Sequence, residues 1–131
     1  MKTADVAKSF IIPLHVFPFD IFVSIGQTDA QFKNRLKRYN ICKLEDELEG
    51  FYNLPGNCQG KTSTLSNGST VLRLSKIPKT PDDFGIITHE IFHAVDGVMK
   101  QIGVGLSDTS EEVYAYLTGY ITTQIYKRII A

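Results

Sequence analysis

Apolar and polar positions alternate most clearly near the N-terminus. From His15 to Ile25 the odd positions carry His15, Phe17, Phe19, Ile21, Val23 and Ile25, while the even ones include Pro18, Asp20 and Ser24. Period-two alternation rich in aromatic and β-branched residues predicts a strand with one buried face. Pro18 has no N–H to give to a ladder, so it favours a sheet edge or the strand's start. His15 falls on the apolar face and reads as structural.

The period then changes. Thr28-Asp29-Ala30-Gln31 is a capping-box pattern, and Phe32, Leu36 and Tyr39 follow on one helical face. Lys33, Arg35, Lys37 and Arg38 fall mostly on the other side and read as a solvated surface. Residues 41–58 fit two descriptions: Leu44, Leu48 and Phe51 continue a helical spacing, but Gly50, Pro55 and Gly56 punctuate it. Two β-prone runs, Lys61–Leu65 and Thr70–Leu74, flank Ser66-Asn67-Gly68-Ser69. Asn-Gly predicts a hairpin with a type I′ turn, in which both central residues take positive φ. Thr70, Leu72 and Leu74 share one face, with Val71, Arg73 and Ser75 opposite.

Thr80-Pro81-Asp82-Asp83 opens a second helix: threonine caps, proline suits the first turn, and the aspartates oppose the positive end of the helix dipole. It should stop near Gly103. A last helix is expected from about Glu111 to Arg128, with Lys127 and Arg128 suiting its C-terminal end. The order strand, helix, hairpin, helix, helix predicts a compact α+β domain with a small antiparallel or mixed sheet, without internal repeat or linker.

Composition narrows the function. At 131 residues the chain is expected to form one domain, 1–131, long enough to bury about two-thirds of its unfolded surface. Fourteen basic residues balance fourteen acidic ones, which argues against a nucleic-acid or anionic-membrane partner. No run approaches the roughly 18 apolar residues of a membrane span. Lys2 and Lys8 precede an apolar stretch, but Pro13, His15, Pro18 and Asp20 interrupt it and no small-x-small cleavage site follows. Cys42 and Cys58 are too few for a disulfide scaffold and read as free thiols in a reducing compartment. These features predict a soluble, intracellular protein.

Of three histidines, two stand in His89-Glu90-Ile91-Phe92-His93, an HExxH motif. Four residues of α-helix turn about 400°, so both imidazoles leave the same side one turn apart and can grip one metal ion. Glu90 lies beside them, placed to take a proton from an attacking water. Catalytic zinc needs three protein ligands and one open position.

The motif, its helix and the preceding hairpin resemble the zincin fold of zinc metallopeptidases. That resemblance implies an edge strand just before the motif helix, with which substrate pairs in extended form; Ser69–Ser75 matches the position. The metzincin pattern HExxHxxGxxH does not apply, because Asp96 and Met99 stand where it wants Gly and His. Gluzincins take their third ligand from a glutamate on a following helix, and Ser110-Glu111-Glu112-Val113-Tyr114-Ala115-Tyr116 is suitably spaced. The arrangement is similar to the minimal ImmA/IrrE-type peptidases and closer still to small HExxH proteins of bacteriophages, with Thr80–Val95 and Glu112–Leu117 carrying the likeness. It covers about residues 69–120; the first 60 carry no such motif.

Glu111 and Glu112 compete for the third ligand. Asp108-x-x-Glu111 and Thr109-x-x-Glu112 each form a capping-box pattern, so capping does not choose between them. Ala115, Tyr116 and Gly119 lie on the face beneath Glu112, and the small residues there are expected to let this helix approach the motif helix. Glu112 is therefore the preferred ligand, although the gluzincin Glu-x-x-x-Asp extension is missing, Tyr116 standing in its place. Asp96 is the candidate acceptor for the second ring nitrogen of His93. Tyr116 is the candidate hydroxyl for stabilising an oxyanion, in a helix that also carries Tyr114 and Tyr120.

The expected function is hydrolysis of a peptide or protein substrate by a zinc-activated water, with His89, His93 and Glu112 holding zinc and Glu90 as base and then proton donor. The expected location is the cytoplasm, the host's if the chain is phage-encoded. The competing expectation is a non-catalytic interaction module that uses zinc for folding.

Overall fold

A computed structural model describes residues 7–15, 17–39, 45–52, 54 and 56–130. Its elements are β1 (Lys8–Pro13), β2 (Asp20–Ile25), α1 (Asp29–Arg38), α2 (Glu45–Tyr52), β3 (Gly60–Thr64), β4 (Thr70–Leu74), α3 (Pro81–Gln101) and α4 (Glu111–Ile129). The α+β class is as expected. Cys42, Leu44 and Pro55 lie outside the described residues.

The four strands form one mixed sheet in the order β1-β2-β4-β3. β1 and β2 are an antiparallel hairpin, β2 runs parallel to β4, and β3 is antiparallel to β4. The long strand expected over 15–25 is instead a turn followed by β2. Phe17 N–H closes the turn on Leu14 C=O, and His15 takes a positive φ of 28° and is exposed rather than buried on a strand face. Pro18 follows that turn, ahead of β2. The alternation at positions 15–19 was in phase with the strand by coincidence, and β1 before it carried the missing pairing.

β2 also differs from the expectation of one buried face. Ile21, Phe22, Val23, Ser24 and Ile25 are all buried because helices cover both sides, as interior strands flanked by crossovers require. Ile21, Val23 and Ile25 join Phe10, Ile12, Leu72 and Leu74 beneath α3 and α4. Phe22 and Val71 face the other way, against Phe32 and Leu36 of α1 and Leu48 and Phe51 of α2. The segment left ambiguous by its punctuation is thus helical over Glu45–Tyr52.

Local signals decided most of the remaining elements. Thr28 and Gln31 form the complete capping box of α1. The β3–β4 connection is shorter in positive φ than expected: Gly68 alone has φ of 91°, so the turn is not type I′. Gly68 N–H bonds Leu65 C=O, and the Asn67 side chain accepts from Ser69 N–H. Gly68 is thus the one residue of this connection with a positive φ, where a type I′ turn would need two.

α3 lies against β3 at glycine contacts. A Cβ at Gly97 would collide with the Thr64 hydroxyl and stand 3.1 Å from Thr64 Cβ. Thr64 is itself held by Thr70, hydroxyl to hydroxyl at 3.1 Å. Among the described residues no helix is long and apolar enough to cross a membrane.

Gly97→Ala should therefore destabilise the fold by about 1–3 kcal/mol through overpacking, outweighing the helix-propensity gain of about 1 kcal/mol. Urea denaturation checks this, with Gly85→Ala, where a Cβ meets nothing within 4 Å, as the control expected to be neutral or stabilising. A Gly97→Ala variant as stable as that control would contradict the close contact.

Candidate metal centre

The motif helix is fixed at its start. Thr80 Oγ1 accepts from Asp83 N–H, and Asp83 Oδ2 accepts from the N–H groups of Thr80 and Lys79. Lys76 Nζ sits 2.9 Å from Asp83 Oδ1. The Lys79 N–H, then Lys76, then the Thr80 N–H hold this carboxyl well below the usual carboxylate range. Two turns further on, α3 presents His89 and His93 to solvent, with the His89 side chain 68% exposed. Their Nε2 atoms are 3.1 Å apart, and the rings meet edge to face at 4.8 Å.

Glu90 points the other way, into the seam between α3 and β3, and is 5% exposed. Thr62 Oγ1 donates to Glu90 Oε1 at 2.7 Å. Glu90 Oε2 is 3.9 Å from His89 Nε2. Gly60 supplies the space: a Cβ there would stand 2.9 Å from Glu90 Cγ. The strand beside the motif helix at the sheet edge is thus β3, not Ser69–Ser75. Residues 70–74 pair on both sides, with β2 and β3, and have no free edge. Thr62 and Gly60 were missed in the sequence because only the strand register brings them to Glu90; their shared face, two residues apart, was the available signal.

The proposed third ligand is not gathered with the histidines. Among the described residues no group of three His, Cys, Asp or Glu side chains comes together as a metal site. The helix register gives the reason. Phe84, near the start of α3, meets Tyr126, near the end of α4, at 5.7 Å, so the two helices run antiparallel. α3 runs on for eight residues past His93, to Gln101, before the chain turns back and α4 begins at Glu111. Glu111 and Glu112 are both exposed, and neither expected capping box forms: the N-cap is Ser110, without a side-chain capping bond. Ala115 and Gly119 do not mediate a close helix approach either, since both are exposed and a Cβ at Gly119 meets nothing within 4 Å.

Asp96 pairs with Lys100 at 2.8 Å, which raises the lysine's pKa, and this is the partner the structure gives it. Tyr116 is 76% exposed and lines an apolar groove of about 370 Å³ with Leu14, His15, Phe17 and Tyr120. Tyr114 and Tyr120 are committed to the backbone carbonyls of Val104 and Pro13.

Zinc fits two of its protein positions here. Two imidazole nitrogens about 2.05 Å from one tetrahedral zinc stand about 3.3 Å apart, close to the observed separation of the Nε2 atoms. The chain matches no protein-family model, no curated protein and no solved structure.

Asp83→Asn should lower stability at neutral pH. A carboxyl depressed in the folded state contributes fully above its unfolded pKa of about 3.9 and less as pH falls toward the folded value. The gap in Tm between wild type and variant should be widest near pH 7 and close below about pH 4. A gap independent of pH would show that the charge at Asp83 does not matter.

Proposed function

We propose that this chain is a zinc-dependent peptide hydrolase centred on His89, Glu90 and His93. The observation that carries the reading is the separation of the two Nε2 atoms, 3.1 Å, with the Glu90 carboxylate 3.9 Å from one of them. His89 and His93 would hold the ion. Glu112 takes the third position, which requires the first turn of α4 to come to the histidines. The chemistry a zinc ion held there would supply is a bound water acidic near neutral pH and polarisation of the scissile carbonyl. Glu90 removes the proton from the attacking water and returns it to the leaving amine.

The substrate class follows from β3. As an edge strand beside Glu90 it offers main-chain groups to an extended peptide, in a mode largely independent of side-chain sequence. A chain of zero formal charge is suited to such recognition, having no strong field to attract a charged partner. A cytoplasmic setting is part of the same proposal. A purely structural zinc is the weaker reading: closed sites need four protein ligands, and two exposed histidines are further from four than from three.

Purification without added zinc should yield about one zinc per chain, and His93→Ala should abolish it. Glu112→Gln should weaken zinc by at least about 10-fold while Glu111→Gln does not, the scale on which even outer-sphere losses are felt. Stoichiometric zinc in His93→Ala removes the site.

Activity is a separate question. Glu90→Gln should retain zinc and lose about 10²–10⁴-fold in kcat on an unstructured peptide substrate. Cleavage unaffected by this substitution would exclude Glu90 as the base.

A further inference from the structure

The HExxH pattern accounts for His89, Glu90 and His93 but not for what fixes the Glu90 carboxylate. A glutamate has three rotatable side-chain bonds, and a base is effective only when its oxygen is held where the proton is transferred. Here the carboxylate is withdrawn from water, and a buried carboxylate needs a donor to offset its lost hydration. Thr62 Oγ1 provides it, bonding Oε1 at 2.7 Å. Its hydroxyl also approaches the Glu90 main-chain oxygen at 3.4 Å. With Oε1 engaged, Oε2 is the oxygen nearer His89, 3.9 Å from its Nε2.

We propose that Thr62 is a positioning residue for Glu90, holding one carboxylate oxygen so that the other faces the reaction. Gly60 forms the floor of the seat. It lies two residues away on the same face of β3, and its missing Cβ leaves room for Glu90 Cγ and Cδ, which a Cβ would approach to 2.9 and 3.2 Å. The strand that would pair with an extended peptide therefore also holds the base, so substrate and base share one backbone as their reference. This inference rests on the reading of Glu90 as general base.

The test uses Thr62→Val, which keeps the β-branched shape and removes the hydroxyl, and Thr62→Ser, which keeps the hydroxyl. In the zinc-loaded full chain Thr62→Val should lower kcat by about 10–100-fold with KM and zinc content unchanged, and Thr62→Ser should recover to within about threefold of wild type in kcat and match it in Tm. Equal kcat for Thr62→Val and wild type overturns the proposal. So does equal loss in the valine and serine variants accompanied by a fall in Tm, which marks a structural role. Crystal structures of wild type and Thr62→Val give a readout independent of turnover: the Glu90 carboxylate should leave its place against Gly60, and an unmoved carboxylate overturns the proposal. If wild-type protein loaded with zinc cleaves nothing, the hydrolase reading fails alone, and these two structures still decide whether Thr62 positions Glu90.

Discussion

The guanidinium of Arg73 is the polar group around which one face of the sheet is arranged. It sits in β4, an interior strand buried on both sides, and is 2% exposed. A cation so placed costs several kcal/mol unless charge and hydrogen bonds compensate it. Asp29 at the start of α1 supplies the charge at 2.8 Å, and the carbonyls of Gln27 and Phe51 accept from the terminal nitrogens. The Phe32 ring lies 4.6 Å from the guanidinium carbon. These partners come from the approach to α1, from α1 itself and from α2, so satisfying one side chain draws both helices onto the same side. Among the described residues, Arg73 Nε has no hydrogen-bond partner.

With that face closed by α1 and α2, the opposite one is left to α3 and α4. Here the contact is set by absence of side chain rather than by charge: Gly60 admits Glu90 and Gly97 admits Thr64. A helix that close to an edge strand has one face in the seam and another in water. Residues 89 and 93 fall on the wet face and residue 90 in the seam, so one helix offers two accessible imidazoles and a sheltered carboxylate. The division between two exposed imidazoles and a sheltered carboxylate is thus a consequence of packing geometry as much as of the motif.

The parts of this arrangement legible in the sequence are those determined locally. Thr28 with Gln31 and Thr80 with Asp83 close real capping boxes, and α3 ends where Gly103 takes a φ of 77°. The HExxH spacing correctly places two imidazoles together, since it depends only on helical pitch. What was not legible depends on partners distant in the chain. β1 was invisible because its pairing with β2 is fixed by register, and Arg73 could be placed only on the face opposite Leu72 because nothing local reveals that β4 is interior. The edge strand was assigned to the hairpin arm nearer the motif helix in sequence, whereas sheet order makes it the farther arm. Strand order is a tertiary property, and a parallel β2–β4 pairing inserts β4 where a simple hairpin would have left it outermost.

The separation of Glu112 from the histidines has the same kind of origin. α3 continues past His93 to bury Val95, Val98 and Met99, and only then turns back through Gly103, with Val104 N–H bonded to Met99 C=O. Those two further turns complete the core, but they carry the start of α4 away from the histidine pair. Core burial and a third ligand from the first turn of α4 therefore compete for the length of α3. Binding energy from a third zinc ligand would have to exceed the cost of loosening the end of this hairpin, where Tyr114 is tied to Val104 C=O and Ser110 to Gly105 C=O. Under the proposed three-ligand site, zinc affinity and the order of residues 102–114 would be linked: whatever stabilises the hairpin in its present register would weaken the site, and whatever frees it would strengthen it.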